Sequence, residues 1–241
     1  MKILIVGPSW VGDAVMAQSL YKIIKDSNPQ SKIDVLSPEW SLGILNRMDE
    51  LDDLICSPFD HGDLRIKDRI RFGYSLRDRS YDQAIVLTNS LKSSFIPFTA
   101  NIPKRTGWLG EMRYGFINDI RKVNKNKHKL MVEKFSCLSI NPLVDNNYEI
   151  PWPSLRVDLI NLSKLLKKYS FEQSHESIAI CPGAEFGPSK RWPANYYAEV
   201  IRHYLSKNWQ VFILGSKNDL PVAKAIEDQV PPENKALLFN F

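Results

Sequence analysis

The stretch that decides the fold is Lys2 to Leu20, KILIVGPSWVGDAVMAQSL. Lys2 to Val6 is a short apolar run that reads as a buried strand, Gly7 and Pro8 break it, and a helical pattern follows from Ala14 to Lys25. A strand, a glycine turn and a helix make the first half of a βαβ unit, the building block of a parallel sheet covered by helices. Gly7 and Gly12 have the spacing of a phosphate-binding P-loop, but Asp13 stands where that motif needs lysine, and the G-x-G-x-x-G of a dinucleotide site is absent. A carboxylate there would repel a phosphate. Two readings of Asp13 are open. It could cap the helix that begins at Ala14, or it could be an ionised acid at the carboxyl edge of the sheet, in the crevice where open α/β folds bind ligands, acting as a general base.

Working outward, the alternation continues. Lys32 to Leu36, Asp53 to Cys56 and Gln83 to Leu87 read as strands; Leu42, Leu45 and Met48 suggest one helix, Leu91 and Phe95 another, with a short strand near Arg105 and Thr106. The expected first half is a doubly wound α/β sheet. Regular structure stops at Asn141 to Asp158, NPLVDNNYEIPWPSLRVD, where three prolines and three asparagines mark a linker. We therefore expect domains at 1–150 and 151–241. The second carries an amphipathic run from Val157 to Tyr169, the strand SIAI, a helix from Ala194 to Ser206, the strand WQVFILGS, and the opening of another strand in ALLFNF. It is Rossmann-like in plan but has too few strands for a whole domain.

Composition narrows the class. With 44% hydrophobic and 24% charged residues among 241, the chain reads as a cytoplasmic globular protein. No run approaches the ~20 apolar residues of a membrane span, and the opening apolar run is too short for a secretory signal. Cys56, Cys137 and Cys181 are odd in number and dispersed, which points to buried free thiols, and His61, His128, His175 and His203 are too scattered for a metal site. The net charge of +5 is unevenly placed: His61 to Lys129 carries 15 Lys and Arg against 6 Asp and Glu, a balance that suits an acidic partner. No helix-turn-helix, ribonucleoprotein or zinc-finger pattern accompanies it, so nucleic acid is not the expected partner.

Two further stretches carry chemistry. In CPGAEFGPSKRWP, Cys181 to Pro193, Gly183 and Gly187 allow close approach of a ligand, Ser189 can donate a hydrogen bond, and Lys190 and Arg191 supply positive charge just before a helix. In KRTGWLGEMRYGFINDIRK, Lys104 to Lys122, Trp108 and Tyr114 are interleaved with Arg105, Arg113 and Arg121, a mixture suited to a sugar ring on an aromatic face with arginine forks on its anionic groups. One loop offers an acid and the other a cation, as transfer from an anionic leaving group to a hydroxyl requires.

Together GPSWVGDAVMAQSLYK, RTGWLGEMRYGFINDIR with the downstream LMVEKF, and CPGAEFGPSKRWP with YYAEV resemble the lipopolysaccharide heptosyltransferases, glycosyltransferase family 9. The resemblance implies a GT-B architecture of two Rossmann-like domains, the first binding the acceptor and the second ADP-heptose, with inversion at the transferred sugar. It places the general base on Asp13 and leaving-group stabilisation on Lys190. Donor contacts fall on Gly183, Ser189, Lys190, Gly215 and Ser216, and acceptor contacts on Gly12, Arg105, Arg113 and Arg121. It implies no metal and no cofactor beyond the ADP-heptose donor, a lipid A–Kdo–heptose acceptor, and work at the cytoplasmic face of the inner membrane. Two readings of the basic flank of Arg65, Arg69 and Arg71 are open: peripheral contact with anionic lipid, or a solvated helix face. Family members continue into a later Asp-Ser-Gly-x-x-His-like motif, so the donor half is expected to be incomplete. The alternative reading is a truncated, inactive protein that binds sugar nucleotide or lipopolysaccharide core.

Overall fold

The computed structural model describes all residues except 61, 125, 127, 140–148, 170, 172–173 and 185–186, and at 188 and 234 it describes the backbone alone. Residues 141–148 of the expected linker thus lie outside the described residues. The chain forms two compact units, Met1–Val157 and Asp158–Phe241.

Unit 1 begins with β1 (Lys2–Val6), α1 (Val11–Met16), α2 (Gln18–Ser27), β2 (Lys32–Ser37), α3 (Glu39–Leu45) and β3 (Asp53–Cys56). It continues through α4 (Ile66–Ser75), β4 (Gln83–Val86), α5 (Leu91–Thr99), β5 (Lys104–Trp108), β6 (Asp119–Arg121) and α6 (Met131–Ser136). All six strands are parallel, in the order β3-β2-β1-β4-β5-β6. Strand side chains alternate between faces, and the core divides accordingly. Ile3, Ile5, Val35, Ile85 and Leu87 pack with Leu20, Tyr21, Leu45 and Phe135 on one side. Leu4, Leu36, Ile55 and Ala84 pack with Leu76, Ile96 and Ile102 on the other. Burial on both faces explains why β1 and β4 read as continuous apolar runs.

Several expectations change. The helix read from Ala14 to Lys25 is two helices meeting at Ala17. Its first turn starts earlier than expected, because the Trp10 carbonyl already accepts from Ala14 N at 2.9 Å. Asp13 is consequently the third residue of α1 and not its cap. The thiols are not buried: Cys56 and Cys181 are exposed and Cys137 is half-buried. Cys56 ends the edge strand β3, and Cys181 lies just beyond an edge strand of the second sheet.

Unit 2 comprises α7 (Leu159–Tyr169), β7 (Ser177–Ile180), α8 (Ala194–Leu205), β8 (Gln210–Ile213), α9 (Leu220–Glu227) and β9 (Leu238–Asn240). Its parallel sheet runs β7-β8-β9. Ile180, Val211 and Ile213 meet Ala198, Ile201, Leu205 and Ile226 in a core of its own. Phe171, Phe212 and Phe239 pack edge to face and stacked as a separate aromatic group.

Candidate active site

Strand order reverses between β1 and β4, the switch point at which open parallel sheets leave a crevice beyond their carboxyl ends. A cleft of about 410 Å3 occupies it. Its floor is the end of β1 with Gly7, Pro8 and Ser9, flanked by Ser37 at the end of β2, Ser57 and Phe59 after β3, Thr88 to Ser90 after β4, and Trp108 at the end of β5. Asp13 from α1 and Lys134 from α6 reach the same space. Hydroxyls, an amide and charged groups thus share the cleft with the aromatic rings of Trp10, Phe59, Trp108 and Phe135. The size and the mixture fit one or two sugar rings.

Asp13 is the chemically distinct group in that lining. Its carboxylate is half-buried and makes no hydrogen bond or ion pair among the described residues. Burial alone raises its pKa above the ordinary carboxylate value. Asp34 shows the contrast: it is 3% exposed, but Tyr81 donates to it at 2.7 Å. An unpaired, partly desolvated carboxylate holds a proton more readily than a surface one, which is what a general base needs. Gly12, beside it, is exposed with open space around its Cα.

The three arginines expected to meet the acceptor are engaged by the protein. Arg105 donates to the carbonyls of Phe116, Ile102 and Gly115 and lies over the Phe98 ring. Arg121 pairs through Nε and Nη2 with the two oxygens of Asp119, both at 2.8 Å. Arg113 is 2% exposed and donates to Thr88 O, Asn89 Oδ1 and Trp108 O. With carbonyls as its main partners, desolvation lowers its pKa from the usual guanidinium value. Arg69 behaves alike: it is buried, donates to Asp63 O and Leu64 O, and stacks on Phe59, so it does not belong to the exposed basic flank of Arg65 and Arg71.

Sequence reasoning missed Lys92, Lys134 and Asn89, which line the cleft. Lys134 sits inside the LMVEKF stretch; its neighbours Val132 and Phe135 are core residues, and that spacing was the available signal for a helix presenting it.

In unit 2 the loops after β7 and β8 carry the expected donor residues. Ser189 and Lys190 form a short 3-10 turn and are exposed, and the Lys190 ammonium has no hydrogen bond or ion pair among the described residues. Residues 185 and 186 of that loop lie outside the description. Gly183, Gly215 and Ser216 converge on Asp219, a residue the sequence did not single out. A Cβ at Gly183 would collide with the Asp219 carboxylate. Ser216 donates its N–H and hydroxyl to Asp219 Oδ2 at 2.9 and 2.8 Å, which lowers the Asp219 pKa.

The first unit is thus a Rossmann-like α/β domain with an acid at its switch point, and comparison with known proteins gives the class. A family model for glycosyltransferase family 9 (heptosyltransferase) matches residues 69–238. The lipopolysaccharide heptosyltransferase 2 of Salmonella typhimurium is 44% identical over 246 aligned residues, covering 100% of this chain and 71% of that protein. Its Escherichia coli counterpart is 42% identical with the same coverage. The solved structure of E. coli ADP-heptose lipopolysaccharide heptosyltransferase II superimposes with a TM-score of 0.91 at 40% identity, covering 100% of this chain and 72% of that one. The chain belongs to glycosyltransferase family 9, the heptosyltransferases, and has their GT-B fold.

Proposed function

We propose that the protein transfers a heptose from ADP-heptose to a heptose hydroxyl on the inner core of lipopolysaccharide, with inversion of the anomeric centre. The observation that carries this reading is the half-buried Asp13 in the switch-point cleft, unpaired among the described residues. In the proposed step the acceptor hydroxyl gives its proton to Asp13 while its oxygen bonds to the anomeric carbon. The bond from that carbon to the diphosphate oxygen breaks, and its electron pair leaves with ADP. Lys190 is the counter-charge for the departing diphosphate and Ser189 a hydrogen-bond donor to it, roles that suit an exposed ammonium and hydroxyl without side-chain partners among the described residues. Identity over the whole chain to proteins named as heptosyltransferases favours this over an inactive binding protein.

Unit 1 then holds the acceptor and unit 2 the donor. The protein works in the cytoplasm against the inner membrane, with Arg65, Lys67 and Arg71 facing anionic lipid beside exposed Leu64 and Ile66. No helix among the described residues is long and apolar enough to cross a membrane.

The test is ADP release from ADP-heptose with a heptose-primed acceptor in anionic vesicles. Asp13→Asn should lower kcat by about 10²- to 10⁴-fold, the usual contribution of a general base. Lys190→Met should also lower kcat, and high salt should strip the protein from the vesicles. Turnover by Asp13→Asn at the wild-type rate would refute the assignment of the base.

A further inference from the structure

Arg113 has an unusual position for a residue in a sugar-binding region. It is nearly inaccessible, and its guanidinium joins two walls of the cleft: Nη1 donates to Thr88 O at 2.8 Å after β4, and Nη2 donates to Trp108 O at 2.6 Å at the end of β5. Nη2 also donates to Asn89 Oδ1 at 2.8 Å. Thr88, Asn89 and Trp108 all line the cleft, while Arg113 itself does not.

The chemistry of that last bond fixes more than a distance. A guanidinium has only donors, so the atom of the Asn89 amide that faces Arg113 has to be the oxygen. The other end of the amide is then Nδ2, a donor pair, on an exposed residue of the cleft wall and with no protein partner among the described residues. The Asn89 amide also packs on Gly110, where a Cβ would collide with it. Glu111 ties the same loop back by accepting from Leu91 N at 2.6 Å.

We infer that Asn89 is an acceptor-binding residue that donates from Nδ2 to a sugar or anionic oxygen, and that Arg113 is a positioning residue that acts through Asn89 by fixing its amide orientation. The inference rests on the transferase reading for the identity of its substrate. It replaces direct contact between Arg113 and the acceptor with contact one side chain removed.

The experiment is a double-mutant cycle on the full chain, read by KM for the heptose-primed inner-core acceptor and for ADP-heptose separately. Asn89→Ala and Arg113→Lys should each raise the acceptor KM about tenfold and leave the ADP-heptose KM unchanged. The double variant should be no worse than either single, since residues that act through one contact are not additive. Losses that multiply to about a hundredfold, or a wild-type acceptor KM for Arg113→Lys, would overturn the inference. Should Arg113→Lys fold poorly, Asn89→Asp supplies the same test: a carboxylate still accepts from Arg113 but has no donor for the acceptor. It should keep the wild-type melting temperature and raise the acceptor KM, and a wild-type KM would again overturn it. Acceptor binding by calorimetry on the same variants reads the contact without turnover, so failure of the transferase reading and failure of this inference are separable.

Discussion

At the scale of single residues, Asp13 sets function against stability. Its folded pKa is raised by burial, so the native state holds that proton more tightly than the unfolded chain does. The stabilising contribution is therefore present below the unfolded pKa and lost as pH rises through the folded one; at neutral pH the ionised, unpaired carboxylate is a net cost. Asp13→Asn removes that cost and should melt higher than wild type at pH 7, with the gap closing as the pH falls below the carboxylate range. A lower melting temperature at pH 7 would contradict the desolvation account. If Asp13 is the base as proposed, the same raised pKa moves the acid limb of the kcat profile above that of an ordinary carboxylate, because a base must be deprotonated to act. The sequence displayed the residue but not its environment. Spacing showed that a lysine was missing from a P-loop pattern, whereas the absence of a partner for the carboxylate among the described residues depends on what α6, β4 and β5 bring around it.

At the scale of elements, strands buried on both faces were readable and polar ones were not. Lys2–Val6, Lys32–Ser37 and Gln83 onward stand where apolar runs placed them. Asp119–Arg121 gave no such signal, because its strand is built from a polar relay across three strands. Gln83 Nε2 donates to Thr106 Oγ1 at 2.8 Å, Thr106 Oγ1 donates to Asp119 Oδ2 at 2.9 Å, and Arg121 donates to both Asp119 oxygens. How the arginines of this region are held was hidden for a related reason. Sequence shows a charge but not the carbonyls that absorb it, and Arg105 and Arg113 use theirs to shape the β5–β6 connection. Thr106 is fully buried, so Thr106→Val leaves the Gln83 amide without its acceptor and should cost about 1–3 kcal/mol of unfolding free energy by urea titration. The pairing with Arg121, followed by Thr106 and Lys104, holds Asp119 below the usual carboxylate pKa. Its contribution is present above the unfolded pKa and lost as pH falls through the lowered folded value, the opposite sign to Asp13. The Thr106→Val deficit should shrink in strong acid; a deficit independent of pH would separate the packing loss from the relay.

At the scale of the molecule, the question is where unit 1 ends. The prolines and asparagines of Asn141 to Asp158 placed the boundary at 150, and the contacts place it at Val157. The intervening residues lack regular structure but are fastened to unit 1 by hydrogen bonds that composition cannot reveal. Gln18, 1% exposed, donates to Ser154 O at 2.9 Å and accepts from Ser154 N at 2.8 Å, a paired bond like that of a β-ladder made by a side chain. Lys22 donates to Trp152 O, and Arg156 N donates to Arg47 O. A chain of residues 1–157 should therefore melt above one of residues 1–150, which leaves the buried Gln18 amide short of two partners, a deficit of about 1–3 kcal/mol. Gln18→Ala in the longer chain should remove most of that difference, since it deletes the group that makes the segment worth keeping. Both chains retain the two core layers and the cleft, so both should bind the acceptor and neither should bind ADP-heptose. Equal melting temperatures for 1–157 and 1–150 would show that the segment is a tether after all, and ADP-heptose binding by either would place the donor site in unit 1 instead of unit 2.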